Sequence, residues 1–249
     1  MTQIPDAETD RRRLAAILTL AAAVGFVALS YAAPDFTGYT TDQLPQIDER
    51  PAVQPAGFAF AIWGVIYGWL VASAGFGLFQ RAESPGWDAF RWPLIGAMAL
   101  GAGWLFVAVR DPLMATVQIW AMLALALWAL FRTPEFDHWL ARVPVGLFAG
   151  WLTAASCVSL GVWLAGTGLL PSSRAAAFVM IPLAAGIAGL VTLGLRRSGG
   201  YALAAGWGLF GIAAQNWDRN TDVTALALLA CLALAAIWWT SRNRGAPPV

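Results

Sequence analysis

The sequence has no lysine, one histidine and two cysteines, and each shortage closes off a class of function. All fifteen basic residues are therefore arginine, and they balance the acids to a net charge of +1. The largest basic cluster, Arg11-Arg12-Arg13, is too small to make the footprint of a nucleic-acid-binding surface, so no nucleic-acid partner is expected. Cys157 and Cys231 lie inside separate apolar runs without a short spacing, which predicts two inert, buried thiols and neither a disulfide framework nor a zinc site. His138, in the polar stretch RTPEFDHWLAR, has no Cys/His set beside it and reads as an exposed loop residue. Charge is scarce throughout: 12% of residues carry one, against roughly 25% in an ordinary soluble domain.

What the chain has instead is apolar surface. Of its 249 residues 59% are hydrophobic and 14 are tryptophan, with a mean hydropathy of +0.64. A small soluble core cannot absorb so much, and lipid can. A spanning helix needs about 20 mostly apolar residues. Eight segments meet or approach that length, at 14–33, 55–79, 92–109, 112–131, 143–166, 175–195, 200–216 and 221–240, which predicts an all-α, polytopic membrane bundle. Pro55, Pro93, Pro112 and Pro144 sit just inside four of the starts, where a missing N–H costs nothing. The seventh segment is short, ends in Gln215-Asn216-Trp217-Asp218, and suits a tight hairpin with the eighth.

Arginine placement orients the bundle. With the N-terminus in the cytoplasm, the inner segments hold eleven: Arg11, Arg12, Arg13, Arg81, Arg91, Arg132, Arg142, Arg196, Arg197, Arg242 and Arg244. The outer segments hold four: Arg50, Arg110, Arg174 and Arg219. Both termini are thus expected in the cytoplasm of a bacterial-type inner membrane, with tails at 1–13 and 241–249 and one long outer connection at 34–54. A competing parse reads Arg11 to Ala33 as a secretory signal cleaved near Ser30-Tyr31-Ala32, which would leave seven spans in the same orientation.

Asp222, at the outer start of the last span, is the one ionisable Asp, Glu, Arg or His inside the eight segments. Ion-coupled carriers keep such a group at mid-membrane, so a coupled pump is disfavoured. The same lack removes acid–base pairs, carboxylate metal sites and Ser/His/Asp sets from the interior, and no catalytic or metal-binding residue is expected. Milder polar side chains, among them Tyr67, Thr116, Gln118, Thr153, Ser156 and Ser159, suit hydrogen bonds between helices. Gly64 with Gly68, and Gly146 with Gly150, suit close helix packing within the chain and also permit a homodimer.

The tryptophans divide by depth. Trp87, Trp92, Trp128, Trp139, Trp163, Trp217, Trp238 and Trp239 fall in loops or near span ends, where interfacial anchoring accounts for them. Trp63, Trp69, Trp104, Trp120, Trp151 and Trp207 lie deeper. An indole there still wants a partner for its N–H, so it tends to face protein, water or ligand. Helical spacing puts Phe60, Trp63 and Tyr67 on one face and Trp151, Ala155 and Ser159 on another. These faces, with Trp104, can wall an aromatic cavity or pack as ordinary helix contacts.

The stretch Pro55-AGFAFAI-Trp63-Gly64-VI-Tyr67 resembles the second-helix signature of the tryptophan-rich sensory proteins, the TspO/MBR family that includes the mitochondrial translocator protein. Trp151-Leu152-TA-Ala155-SCVSLGV-Trp163 is similar to the family's fifth helix. The resemblance covers about 14–166, as a five-helix bundle, and leaves 167–240 as three additional spans. It implies a hydrophobic pocket beneath the 34–54 loop that takes porphyrins and other aromatic ligands, with Trp63, Trp151 and Ala155 on its wall. Departures are Ala102-Gly103 before Trp104, Ser159 where the family has Asn, and Gln54 for the first of two prolines; the animal sterol-recognition pattern is missing. The expected function is binding of a flat hydrophobic molecule, a tetrapyrrole by resemblance, as a sensor or regulator without a covalent cofactor. Phe60, Trp63, Tyr67, Trp104, Trp151, Ala155 and Ser159 form the expected site. The rival is an uncoupled transporter of small lipophilic compounds whose path the last three spans complete.

Overall fold

A computed structural model of the protein describes residues 7–195 and 199–243, so Arg196, Arg197 and Arg244 of the arginine tally lie outside the described residues. The described residues form eight α-helices and no strand: α1 (Ala7–Ala32), α2 (Ile62–Phe79), α3 (Pro85–Ala108), α4 (Pro112–Phe131), α5 (Arg142–Gly166), α6 (Ser173–Gly194), α7 (Gly199–Asn216) and α8 (Thr221–Asn243). A 3₁₀ turn, Gly57–Ala61, leads into α2. Seven helical stretches are long and apolar enough to cross a membrane; α7, at 18 residues, is not among them. Apolar side chains such as Ile17, Leu190 and Leu232 face outward, as bilayer contact requires of a multi-pass membrane protein.

Several boundaries differ from the apolar runs. α4 begins as its sequence predicts: Pro112 takes the first helical position and the Asp111 carboxylate accepts from the N–H groups of Leu113 and Met114, both at 3.0 Å. α3 instead begins at Pro85, and Pro93 lies inside it. The apolar run stopped at Arg91 because a charge ends a hydropathy window, yet that arginine is 1% exposed. Its guanidinium donates to the carbonyls of Gly77, Arg81 and Ala82, at 2.8 to 2.9 Å, and so satisfies an orphan acceptor in the last turn of α2 and two carbonyls of the turn that follows. Pro55 likewise precedes a 3₁₀ turn and does not open an α-helix. α1 starts at Ala7, within the segment expected as a tail.

Trp87 corrects the interfacial assignment. It is buried at the end of the bundle opposite the 34–54 loop, and its Nε1–H donates to Asp137 at 3.0 Å. The Arg81 guanidinium binds the same carboxylate at 2.7 Å. That hydrogen bond first, and the Trp87 one after it, hold the Asp137 carboxyl below its ordinary pKa. His138 is half-buried, not exposed, edge-on to Trp139 with ring centroids 5.8 Å apart. Cys157 is buried as expected, whereas Cys231 is half-buried and its Sγ–H donates to the Gly206 carbonyl at 3.5 Å.

α5 is the central post. Over its spanning window 78% of residues are buried, against 28% in α1 and α8. It packs on α2, α4, α6 and α7. Gly146 and Gly150 serve the α7 contact: a Cβ on Gly150 would lie 2.2 Å from the Tyr201 carbonyl oxygen, a distance only glycine allows. Thr153 and Tyr201 share a hydroxyl hydrogen bond of 2.9 Å across the same seam. Gly64 and Gly68, by contrast, have open space where a Cβ would point. α7 and α8 form the expected hairpin through residues 217–220.

The 34–54 segment is tied to α5, α6 and α7. Leu44 is buried against Gly166, and the Gln46 N–H donates to the Gly166 carbonyl at 2.9 Å. The Ser173 hydroxyl, at the start of α6, donates to the Asp48 carboxylate and accepts from the Ala52 N–H. The buried Asn216 amide donates to the carbonyls of Ala52 and Ile212, both at 2.8 Å. The loop is thereby held over one end of the bundle.

Candidate ligand-binding cavity

A cavity of about 1000 Å³ lies beneath that loop, between α1, α2, α3, α4 and α5. Phe60, Trp63, Tyr67, Trp104, Trp151, Ala155 and Ser159 all line it. Two features of the sequence place six of them there, and α3 supplies Trp104. The turn before α2 and the helix itself project Phe60, Trp63 and Tyr67 inward at three- and four-residue spacing, and α5 does the same with Trp151, Ala155 and Ser159.

Aromatic contacts fix the walls. Trp63 stacks on Tyr67, with centroids 5.2 Å apart and planes 26° from parallel. Phe60 meets Trp151 edge-on at 5.6 Å. The Tyr67 hydroxyl and the Ser30 hydroxyl are 2.9 Å apart, which ties α2 to α1. Ser159 and Thr116 share a hydroxyl contact of 2.8 Å, joining α5 to α4. The Trp104 N–H donates to the Ala115 carbonyl at 2.9 Å and is thereby spent on structure. The N–H groups of Trp63 and Trp151 make no hydrogen bond among the described residues.

Not every deep tryptophan reaches the cavity. Trp69 stacks on Trp139 and donates to its carbonyl; Trp207 donates to the Ala59 carbonyl and braces the 3₁₀ turn from α7. Trp120 packs between α4 and its neighbours, away from the lining. Trp69 lies toward the other end of α2, whereas Trp120 and Trp207 share the cavity's depth and miss it, because depth fixes height and not azimuth around the helix.

Sequence reasoning missed the contribution of α1 and the loop. Phe26, 3% exposed, forms the floor: its ring is 5.8 Å from Trp63 and 5.1 Å from Tyr67, both edge-on. Gly101 makes room for it, since a Cβ there would come within 2.6 Å of the Phe26 ring. The signal for Phe26 was absent because α1 is apolar on every side. From the loop, Phe36 meets Trp104 edge-on at 6.0 Å and Tyr39 packs on Phe36. Burial, and after it the charge of Asp111, push the Tyr39 phenol up to about 12, so it is neutral at physiological pH. The cavity thus has aromatic walls, mild hydroxyls and no ionised group on its helical walls.

Neither the curated proteins nor the solved structures contain a match to the chain. The family model described as TSPO-like protein matches residues 13–240, beyond the 14–166 that carried the resemblance and through all three C-terminal helices. With the roofed aromatic cavity between its first five helices and a family match over nearly its whole length, the chain belongs to the TSPO-like protein family.

Proposed function

We propose that this TSPO-like membrane protein binds a flat, hydrophobic small molecule in the cavity beneath the 34–54 loop, and acts by that binding as a sensor or regulator. A tetrapyrrole is the first ligand to test. The observation that carries the reading is the convergence of seven side chains, from α2, its leading turn, α3 and α5, on one cavity of about 1000 Å³. Cavities of this size and apolar character bury most of a drug-sized molecule. The unspent N–H groups of Trp63 and Trp151 supply donors for a ligand acceptor.

Binding is favoured over translocation because α6, α7 and α8 contribute only Gly208 to the lining among the described residues. The added helices brace α5 and the loop and do not extend a path. The arginine distribution supports an inner-membrane location with both termini cytoplasmic. Of the glycines that permit a homodimer, Gly146 and Gly150 are spent on α7 and Gly64 lines the cavity, which leaves Gly68.

The direct experiment is purification with native lipids, followed by absorbance in the porphyrin band and mass spectrometry. A copurifying flat aromatic compound, displaced by added protoporphyrin dimethyl ester, supports the reading. A ligand that stays bound when the dimethyl ester saturates the protein contradicts it.

A further inference from the structure

We infer that the loop end of the cavity selects by charge, preferring a flat apolar ligand whose polar end is uncharged or cationic over one that ends in carboxylates. This rests on the binding reading above and adds the ligand's charge class to it. The lining includes Asp35, Asp48 and Glu49, and no arginine or histidine. The segment 34–54 carries four carboxylates, Asp35, Asp42, Asp48 and Glu49, against the single Arg50. Asp35 and Glu49 are exposed and have no ion-pair partner among the described residues. Asp48 accepts from the neutral Ser173 hydroxyl, which leaves its charge uncompensated.

The cations at this end lie outside the lining, Arg50 among them although its neighbours Glu49 and Pro51 both line the cavity. Arg110 donates to the Phe106 carbonyl at 3.3 Å, Arg174 pairs with Asp222, and Arg219 does not line the cavity. A ligand carboxylate would therefore find no guanidinium fork in the lining itself, the usual partner for that group. It would instead meet three like charges. A cationic end gains from the same carboxylates and from the faces of the aromatic walls. In water, one carboxylate about 8 Å from a ligand charge changes affinity roughly twofold, so three amount to about tenfold at low salt and less at physiological ionic strength.

Three ligands with one ring system test this: protoporphyrin, its dimethyl ester, and its diamide ending in two primary amines. Each is titrated against the full chain in nanodiscs of zwitterionic phospholipid, with empty discs subtracted, by tryptophan quenching at low and at high salt. The expected order of affinity is amine, then ester, then acid, with about tenfold between neighbours and about a hundredfold between amine and acid at low salt. High salt narrows the gap, and so does the double variant Asp35→Asn, Glu49→Gln. Binding of all three with equal affinity, or tightest binding of the acid, overturns the charge preference and leaves the binding site standing. A gap that neither salt nor the double variant narrows also overturns it. Saturable binding of none of them overturns the site itself and the preference with it.

Discussion

The ring of Trp63 stands edge-on to the ring of Trp151, with centroids 6.2 Å apart and planes at 78°. One ring comes from α2 and the other from α5, so their meeting closes the cavity at the depth where α1 contributes Phe26. An edge-to-face pair adds about 0.5–1.5 kcal/mol beyond the area it buries. The pair is at once a wall of the cavity and a joint between two helices.

The α5–α7 seam makes a sharp stability prediction. Gly150→Ala forces a methyl against the backbone of Tyr201 and should cost about 3 kcal/mol, because backbone cannot step aside as a side chain can. Gly64→Ala faces open space and should stay within about 0.5 kcal/mol of the wild type. Thermal unfolding of both variants in one detergent checks this. Equal midpoints would contradict the close approach of α7.

Asn216 predicts how the C-terminal helices serve the loop. Asn216→Ala leaves the buried Ala52 carbonyl unpaired, at a cost of about 1–3 kcal/mol. Hydrogen exchange should quicken across 34–54 while amides in the middle of α3 and α4 keep their protection. Unchanged exchange in the loop would show that α7 does not hold it.

The same contacts show what was legible in the sequence. Helix number and order followed from apolar run lengths; six of the seven cavity residues followed from helical spacing plus two motif matches, and Trp104 from its depth along its helix. Arg91 and Trp87 were misplaced because hydropathy scores a residue by type, whereas these two are buried by partners distant in sequence: the carbonyls of Gly77 and Arg81, and Asp137. Phe26 was invisible because an all-round apolar helix gives no sign of which side faces protein. The loop's role needed Ser173 and Asn216, which lie more than a hundred residues beyond the groups they bind.

The Arg81–Asp137–Trp87 cluster predicts a pH dependence at the end of the bundle opposite the loop. Its hydrogen bonds lower the folded-state pKa of Asp137 relative to the unfolded value of about 3.9. The stability it contributes is therefore present above about pH 4 and is lost as pH falls through the lowered folded value. Asp137→Asn should lower the unfolding midpoint near neutral pH, and the difference from wild type should shrink on acidification below about pH 4. A difference that stays constant down to that range would contradict the ion pair.

The central claim is that the cavity walled by Trp63 and Trp151 is the ligand site. Its most direct test is a titration of the protein in nanodiscs with protoporphyrin dimethyl ester, comparing wild type, the double variant Trp63→Ala, Trp151→Phe, and the outward-facing control Trp128→Phe. Circular dichroism and unfolding midpoints establish that all three are folded. The account predicts that the double variant weakens binding about tenfold or more, as the loss of about 1.4 kcal/mol or more of aromatic contact and N–H donation requires, while Trp128→Phe binds as wild type does. Equal affinity in all three proteins would contradict it.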